Sequence, residues 1–248
     1  MSNFAVEANK AAKTLSTTTN DYLKATLIYF QQGLKGKEVS ERAEATVKMA
    51  NVTGQSAETV SEWMTAIWNN FDDGSKSLEH YADVMTKLGA ATASSSEEIA
   101  GGLEKFAAIA DTVGLSYEYA ATALATITAQ TRQSEDVVGT GLRTIFSRLQ
   151  SLSLGDTLED GTNLTKYSKA LETVGVNIKT ASGDLRDMDS ILNDLGARWD
   201  ELGTAEKNAL AQTVGGVRQY ANLIALMDNW STFKSNLSLA QTADGTLN

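Results

Sequence analysis

Apolar residues recur at helical spacing along this chain, and each run of them ends at a glycine or a short polar turn after about fifteen to twenty residues. One such stripe contains Val60, Trp63, Ile67, Trp68 and Phe71, and the turn sequence DDGS follows it directly. Side chains at these spacings lie on one face of an α-helix, and the stripes are broader than the seam of a coiled coil. We therefore predict an all-α fold, a compact multi-helix domain of short amphipathic helices that fold back on one another.

The composition removes the usual interruptions to such helices. None of the 248 residues is proline or cysteine, although average usage would give about 12 prolines in a chain of this length. Proline is the strongest helix breaker, so its absence favours helix throughout the sequence. The absence of cysteine excludes disulfides, thiolate metal sites and a cysteine nucleophile.

Charge and hydropathy argue against two classes of partner. The formal net charge is −10 at pH 7, whereas nucleic-acid binding needs clustered Lys and Arg, so we expect no specific nucleic-acid partner. The longest apolar run, LIALM at 223–227, is far shorter than the roughly 18 to 20 residues that span a bilayer. No signal peptide is evident, because MSNFAVEANK lacks a basic region followed by an apolar core. Membrane contact is therefore not evident either.

A serine followed two positions later by an acid marks a recurrent type of helix start. Serine at the N-cap accepts a hydrogen bond from an unpaired backbone amide, and an acid in the first turn lies at the positive helix end. Ser95 and Glu98 also have the spacing of a reciprocal capping box. The spacing in sequence between these helix starts indicates a helical unit of about twenty residues. We interpret it as a repeated way of starting a helix rather than as one of the named solenoid repeats. The predicted capping residues are Ser56, Glu58, Ser95, Ser96, Glu98, Ser116, Glu118, Ser134 and Asp136.

These signals divide the chain into segments. The residue composition changes after Leu149, where the polar sequence SLSLGDTLEDGTN predicts a connecting segment between helices. Further on, alternation around ASGD predicts a minor β-hairpin near 176–186, with Gly183 supplying a positive φ. The segments are an N-terminal helical segment (1–36), a helical core of units of about twenty residues (37–150), the connection with a short helix and the hairpin (151–186), and C-terminal helices expected to pack with the core as one domain (187–248).

The residue types that carry acid–base chemistry do not form a recognisable site. His80 is the only histidine, which excludes a pair of histidine metal ligands, and no serine lies in a nucleophile elbow. Because His80 lies in the middle of a predicted helix, we interpret it as a surface or partly packed helix residue. Adjacent acids could in principle act together, but each pair lies at a predicted helix end, where dipole complementation accounts for it. The pairs are Asp72/Asp73, Glu97/Glu98 and Glu135/Asp136.

The segment GTGLRT at 139–144 has only superficial similarity to a nucleotide-binding loop. The dinucleotide fingerprint requires a third glycine where Thr144 stands, and the phosphate loop requires Gly-Lys-Ser/Thr. We interpret Gly139 and Gly141, like the pair at 101–102, as points of close approach by a neighbouring helix. No catalytic, metal-binding or cofactor-binding residue is predicted, and the chain is expected not to be an enzyme.

The four tryptophans are the largest apolar side chains of the predicted helices. Tryptophan on a helix stripe usually belongs to the core, although it is also enriched in binding hot spots. We therefore favour a core position for all four tryptophans, Trp63, Trp68, Trp199 and Trp230. Trp68 and Trp230 lie nearest to helix ends, so they are the candidates for an interaction surface.

Several longer stretches are similar to a known family. They are YFQQGL (29–34), NVTGQSAETVSEWMTAIWNNF (51–71), YADVMTKLGAATASSSEEIAGGLEKFA (81–107), VGLSYEYAATALATITAQTRQSEDVVGTGLRTIFSRLQ (113–150), KYSKALETVGVNI (166–178) and GGVRQYANLIALMDNW (215–230). They occur in order and cover most of residues 20–235. On these stretches the chain resembles the core region of phage tail tape-measure proteins, the family found in long-tailed phages and prophages.

This resemblance implies a non-enzymatic tail-assembly protein. Family members lie along the future tail lumen in several copies while tube subunits polymerise around them, until the tail length is set. The implied partners are other tape-measure copies, the tail-tube protein, tail assembly chaperones and tail-tip proteins. The implied location is the lumen or tip of the virion tail, after assembly in the cytoplasm of the host bacterium. Because family members are commonly much longer, this chain is expected to be a fragment.

The turn signals also bear on how such a chain could act. One continuous helix of 248 residues would reach about 370 Å at 1.5 Å per residue. Turns every fifteen to twenty residues, roughly, instead predict a body with a radius of gyration near 18 Å. We therefore expect a folded assembly domain with chaperone, initiator or tail-tip contacts. The alternative is a helical secreted or injected effector that interacts with membranes through rearranged amphipathic helices.

Overall fold

Twelve α-helices and one short 3-10 helix account for most of residues 2–154, 165–184 and 186–247, which are the residues described by this computed structural model. The all-α prediction is therefore confirmed. The helices are α1 (Ser2–Thr14), α2 (Thr19–Gln31), α3 (Lys37–Thr53), α4 (Ala57–Phe71), α5 (Leu78–Ala91), α6 (Ser96–Thr112), α7 (Tyr117–Thr131), α8 (Glu135–Leu154), α9 (Thr165–Thr173), α10 (Met188–Arg198), α11 (Thr204–Asp228) and α12 (Trp230–Ala240), with the 3-10 helix at Trp199–Glu201.

Helix α7 is the centre of the fold. Every residue from 119 to 128, YAATALATIT, is buried, and none of these side chains is charged. A helix that is apolar or uncharged on all sides can be stable only when other helices surround it. Helices α5, α6, α8, α11 and α12 all pack against α7. The C-terminal helices thus share the core that the earlier helices build.

Small residues allow the closest helix crossings. A Cβ atom added to Gly139 of α8 would lie 2.5 Å from the carbonyl oxygen of Gly102 in α6, and one added to Gly102 would lie 2.5 Å from a methyl carbon of Leu124. A Cβ on Gly141 would lie 2.3 Å from the side-chain amide nitrogen of Asn222 in α11. These distances are too short for any side chain. The interpretation of Gly102, Gly139 and Gly141 as points of close approach is confirmed.

The predicted hairpin is not formed as a pair of strands. Gly183 has the expected positive φ of 95°, and the amide of Arg186 donates to the Ile178 carbonyl over 3.0 Å. Within the described residues of this segment, however, the chain makes only a tight turn, closed by a 2.8 Å bond from the Thr180 amide to the Asp184 carbonyl. Among the described residues from 176 to 184, Val176 and Ile178 are the buried ones, and an isolated two-stranded element is at best marginally stable.

Two further features concern the chain after α8. The predicted connection at 151–163 begins as the last turn of α8, and its remainder, from residue 155, lies outside the described residues. Helix α11 contains a break at Gly216, whose φ of 69° and ψ of 167° are not helical. Glycine tolerates this conformation because it has no Cβ. The break lies at the second glycine of the pair Gly215–Gly216.

The surface area of the chain is that of a folded body. The accessible surface is 11822 Å², whereas the usual scaling for a folded monomer of 26.5 kDa gives about 11,000 Å² and an unfolded chain of that mass exposes about 38,000 Å². Helices that fold back around α7 therefore bury most of the surface that separated helices would expose. Within the described residues, no helix combines the length and apolarity needed to cross a membrane.

Candidate functional site

The most unusual side chain in the structure is His80, in the first turn of α5. Its helix begins with Ser77, whose hydroxyl accepts the backbone N–H of His80 over 3.2 Å. Only 1% of the residue is exposed, and both ring nitrogens face carboxylates. Nε2 lies 2.8 Å from Oε1 of Glu118, and Nδ1 lies 2.5 Å from Oδ1 of Asp244. His80 therefore joins α5 to the start of α7 and to the chain after α12.

This geometry defines the charge state of the ring. Carboxylates can only accept hydrogen bonds, so both ring nitrogens must donate, and a histidine with two N–H groups is an imidazolium. The hydrogen bond to Glu118 raises the pKa of His80, burial opposes this, and the bond to Asp244 adds to the rise. The same bonds lower the pKa of Glu118 and that of Asp244. The cluster is thus a buried cation held between two anions.

A second carboxylate on α5 holds the same part of the C-terminus. Asp83 is 3% exposed, and its two oxygens accept the backbone N–H groups of Gly245, over 2.9 Å, and Leu247, over 2.6 Å. Between these anchors and α12, Ala243 is fully buried. We refer to residues 241–247 as the C-terminal strap. One turn of α5 therefore fixes the strap through His80 and Asp83.

Aromatic residues line the interior side of this cluster. The hydroxyl of Tyr117 donates to the Tyr81 carbonyl over 2.5 Å, and the hydroxyl of Tyr81 donates to the Phe71 carbonyl over 2.9 Å. The two tyrosine rings meet edge to face with centroids 4.8 Å apart. Burial raises the pKa of both tyrosines. They therefore remain protonated donors and tie α5, α7 and the end of α4 together.

A surface groove of about 400 Å³ lies beside the cluster, between the α4–α5 turn and the α6–α7 turn. His80 and Glu118 contribute to its lining. His80 has no free lone pair to accept a proton, so it cannot act as a general base while both carboxylates hold it. Within the described part of the chain, no group of three or more His, Cys, Asp or Glu side chains could hold a metal ion. The chemistry of the cluster is that of a structural ion pair.

The predicted capping residues of α4 and α6 occupy helix starts. The Ser56 hydroxyl accepts the Thr59 amide over 3.1 Å, and Glu58 lies in the first turn of α4. Ser95 is the N-cap of α6, and it forms a reciprocal capping box with Glu98. The next residue, Ser96, lies inside the helix instead, and its hydroxyl donates to the carbonyl of Met85 over 3.2 Å. Ser96 therefore connects α6 to α5.

The helix starts of α7 and α8 differ from each other. Ser116 has the extended backbone of an N-cap, but its hydroxyl donates over 2.8 Å to Asp189 of α10, and burial raises the pKa of this acid. Two residues on, Glu118 pairs with His80. The Ser134 carbonyl accepts the first amides of α8, and Asp136 lies 3.4 Å from the Lys105 amine. Of the predicted capping residues, Glu118 is the one that contacts His80.

Neither tryptophan proposed for an interaction surface is freely exposed. Trp68 is 2% exposed, its indole N–H donates to the Leu78 carbonyl over 3.1 Å, and the Arg42 guanidinium lies 4.9 Å from its ring centre. Trp68 is therefore a core residue, because its position near a helix end is covered by α5 and α3. Trp230 is half-buried and stacks on Phe233 with centroids 4.7 Å apart.

Sequence reasoning placed His80 at the surface or in a partly packed position, and it did not single out Asp83 or Asp244. The partners of His80 are 38 and 164 residues away in sequence, and no local pattern reports such pairing. The one available signal is that His80 and Asp83 stand among apolar residues on α5 with helical spacing. A polar side chain that is buried among apolar residues must form hydrogen bonds or ion pairs, because burying it without them is costly.

Comparison with known proteins identifies one family. A sequence model of the family described as phage-related minor tail protein matches residues 7–216. The match begins in α1 and ends at Gly216, the residue at which α11 breaks. It includes His80 and Glu118, whereas Asp244 lies beyond it. No solved structure matches the chain.

Proposed function

This chain belongs to the family of phage-related minor tail proteins, and from that membership we propose that it is the tape-measure core domain of a phage tail. In this role it organises assembly of the tail tube and takes part in the control of tail length. Its partners are other copies of the chain, the tail-tube protein, tail assembly chaperones and tail-tip proteins. It acts inside the tail lumen or at the tail tip.

One observation supports an assembly role over that of a measuring rod. Five helices surround α7, and the accessible surface of 11822 Å² is near the value of about 11,000 Å² for a folded monomer. A rod built from 248 residues as one helix would be about 370 Å long. A body whose helices fold back on one another spans only a small part of that length. We therefore assign the domain to contacts that start or guide tube growth.

The histidine cluster supports a non-enzymatic role. Its cation is bonded at both nitrogens, and its two acids are both engaged with that cation. A general base needs a free lone pair, and a general acid needs an acceptor on a substrate within reach. His80, Glu118 and Asp244, whose pKa values are shifted by their mutual hydrogen bonds, therefore hold helices together.

Electron microscopy of tails made without this domain tests the proposal. Residues 20–235 are deleted in frame from the phage gene, and tails are imaged from lysates. If the domain serves assembly, normal tails are absent or rare, and supplying the intact gene on a plasmid restores them. Tails of normal form that are shorter by up to about 320 Å, the length of the deleted residues as one helix, would instead make the segment part of the ruler. Unchanged tails would contradict both roles.

A further inference from the structure

The C-terminal strap, residues 241–247, is held to the body by side chains rather than by a helix of its own. The carboxylate of Asp83 accepts the amides of Gly245 and Leu247, and His80 pairs with Asp244. Ala243 is the fully buried residue between them. Four of the five polar groups that carry these anchors are backbone amides or carboxylates, whose hydrogen-bonding role is fixed near neutral pH. The imidazole is the group whose number of donors changes there.

Loss of one proton from His80 removes one anchor. A neutral imidazole has one N–H and one lone pair, so it can donate to Glu118 or to Asp244 but not to both. The carboxylate left opposite the lone pair is repelled at hydrogen-bond distance. Deprotonation therefore forces a choice between the bond that joins α5 to α7 and the bond that holds the strap.

Burial decides which bond is lost. The Glu118 side chain is 17% exposed, whereas the Asp244 side chain is 73% exposed. A carboxylate without a partner is far more costly when it is buried than when water reaches it. The remaining N–H therefore stays with Glu118, and Asp244 turns to water. The strap then keeps the two amide bonds to Asp83 and the packing of Ala243 and Leu247 against the core, but it has lost its ion pair.

The surrounding charges act in the same direction. Most ionisable groups near the cluster are acids, whose negative charge favours the charged ring, or tyrosines, which stay neutral because burial raises their pKa. The acids are Asp83 on α5, Asp111 on α6, Asp189 on α10, and Asp72 and Asp73 in the α4–α5 turn; the tyrosines are Tyr81 on α5 and Tyr117 on α7. The one cation of this group is Lys76, in the α4–α5 turn. Glu79, in the first turn of α5, is bonded to Lys48 of α3.

We propose that the C-terminal strap is a proton-controlled latch, docked on α5 most firmly while His80 carries two N–H groups and held more weakly, so that it opens more often, when the ring is neutral. This inference does not depend on the proposed role in tail assembly. The pKa of His80 is raised above 6.5, so docking through this bond is complete below that pH and is lost as the pH rises through the folded-state pKa. The pKa of Asp244 is lowered by the same bond, so docking is also lost in acid, as the pH falls through that value.

Methyl NMR measures the latch directly. The intact chain is labelled with [¹³C-methyl]alanine and with ¹³C in the histidine ring, and spectra are recorded from pH 5.5 to pH 9. The Ala243 methyl reports docking, the His80 ring reports its own titration, and the buried Ala120 methyl reports the core. We expect the ratio of docked to undocked strap to fall by about two- to fivefold across this range, the size of change that loss of a largely exposed ion pair produces. Its midpoint should coincide with that of His80 while Ala120 stays in place.

Two variants separate the latch from general effects of pH. Asp244→Asn removes the charge from a side chain that is 73% exposed, so the fold survives. In this variant we expect a lower His80 midpoint and a strap whose docking no longer follows that midpoint. Asp200→Asn is the matched control, since the Asp200 side chain is 97% exposed, and it should behave like the unmodified chain. An Ala243 methyl that stays docked while His80 titrates would overturn the proposal, and so would unchanged pH dependence in Asp244→Asn.

Discussion

Nε2 of His80 lies 2.8 Å from Oε1 of Glu118, and this contact connects the first turn of α5 to the first turn of the buried helix α7. The acid was predicted from sequence to serve the positive end of its own helix. In the structure it also neutralises a cation on a neighbouring helix. One residue therefore has a local role and a tertiary role, and the pH dependence of stability distinguishes them.

Replacement of Glu118 by Gln should lower stability in a pH-dependent way. The raised pKa of His80 means that the pair stabilises the fold fully below pH 6.5, and this contribution is lost as the pH rises through the folded-state value. The lowered pKa of Glu118 means that it is also lost in strong acid. We expect Glu118→Gln to cost about 1 to 3 kcal/mol in the free energy of unfolding near pH 6, and less near pH 9.

Urea unfolding at pH 6 and at pH 9 measures this difference. Glu58→Gln is the matched control, because Glu58 also lies in the first turn of its helix but is exposed. That change should cost at most a few tenths of a kcal/mol at both values. An equal loss for Glu118→Gln at the two pH values would show that its effect is only local.

Replacement of Gly139 by Ala should destabilise the fold despite improving helix propensity. Alanine is favoured over glycine in a helix by up to about 1 kcal/mol. The added Cβ, however, would lie 2.5 Å from the Gly102 carbonyl oxygen, and overpacking of this kind costs about 1 to 3 kcal/mol. We expect a net loss, measured by urea unfolding. Thr140→Ala, at the adjacent exposed position, should change stability by less than about 0.5 kcal/mol. A Gly139→Ala protein of increased stability would contradict the close crossing of α6 and α8.

Removal of the Ser95 hydroxyl should weaken the start of α6. Ser95 accepts the Glu98 amide over 3.1 Å, and Glu98 accepts the Ser95 amide over 2.8 Å. Ser95→Ala should cost about 1 kcal/mol in unfolding free energy, whereas Ser95→Asp keeps an acceptor and should cost only a small part of this. Thermal unfolding of the two variants side by side provides the comparison. Equal losses for both would mean that the hydroxyl does not cap the helix.

Replacement of Trp68 by Phe should act on stability rather than on partner binding. The change removes the indole bond to the Leu78 carbonyl and weakens the stacking of Arg42, for an expected loss of about 1 to 2 kcal/mol. Trp230→Phe keeps an aromatic ring against Phe233 and should cost less. Chemical denaturation and tail counts by electron microscopy are measured for both. Normal stability of Trp68→Phe together with defective tails would make Trp68 a partner contact after all.

Local patterns in the sequence predict the helices, and they fail where distant segments meet. The Ser95–Glu98 box and the glycines of α8 depend on spacing within one helix, or on the need for a flat helix face, and both are visible in the sequence. The pairing of His80 with Asp244 depends on how α5, α7 and the strap are arranged in space. The hairpin predicted near 176–186 is not shown as strands, since the described residues there form a turn closed by the bonds from the Thr180 amide to the Asp184 carbonyl and from the Arg186 amide to the Ile178 carbonyl.

Trp68 also shows that the pattern within one helix does not determine how deeply a side chain is buried. Its burial agrees with the core position favoured for every tryptophan, and the helix end that made it a candidate for an interaction surface is covered by α3 and α5. Burial there is set by the lengths and crossing points of neighbouring helices, and a single stripe does not encode these. The core position of Trp199, which is fully buried and donates its indole N–H to Asp228 over 2.6 Å, followed from its stripe because its helix is enclosed along that face.

Small-angle X-ray scattering of the purified chain tests most directly whether it acts as a folded body rather than as a length of rod. The account predicts a radius of gyration of about 18 Å for 248 residues, with a bell-shaped Kratky plot and no change on dilution. A rod of about 370 Å would give a value near 100 Å. That result would contradict the account, and it would return the chain to the role of a ruler.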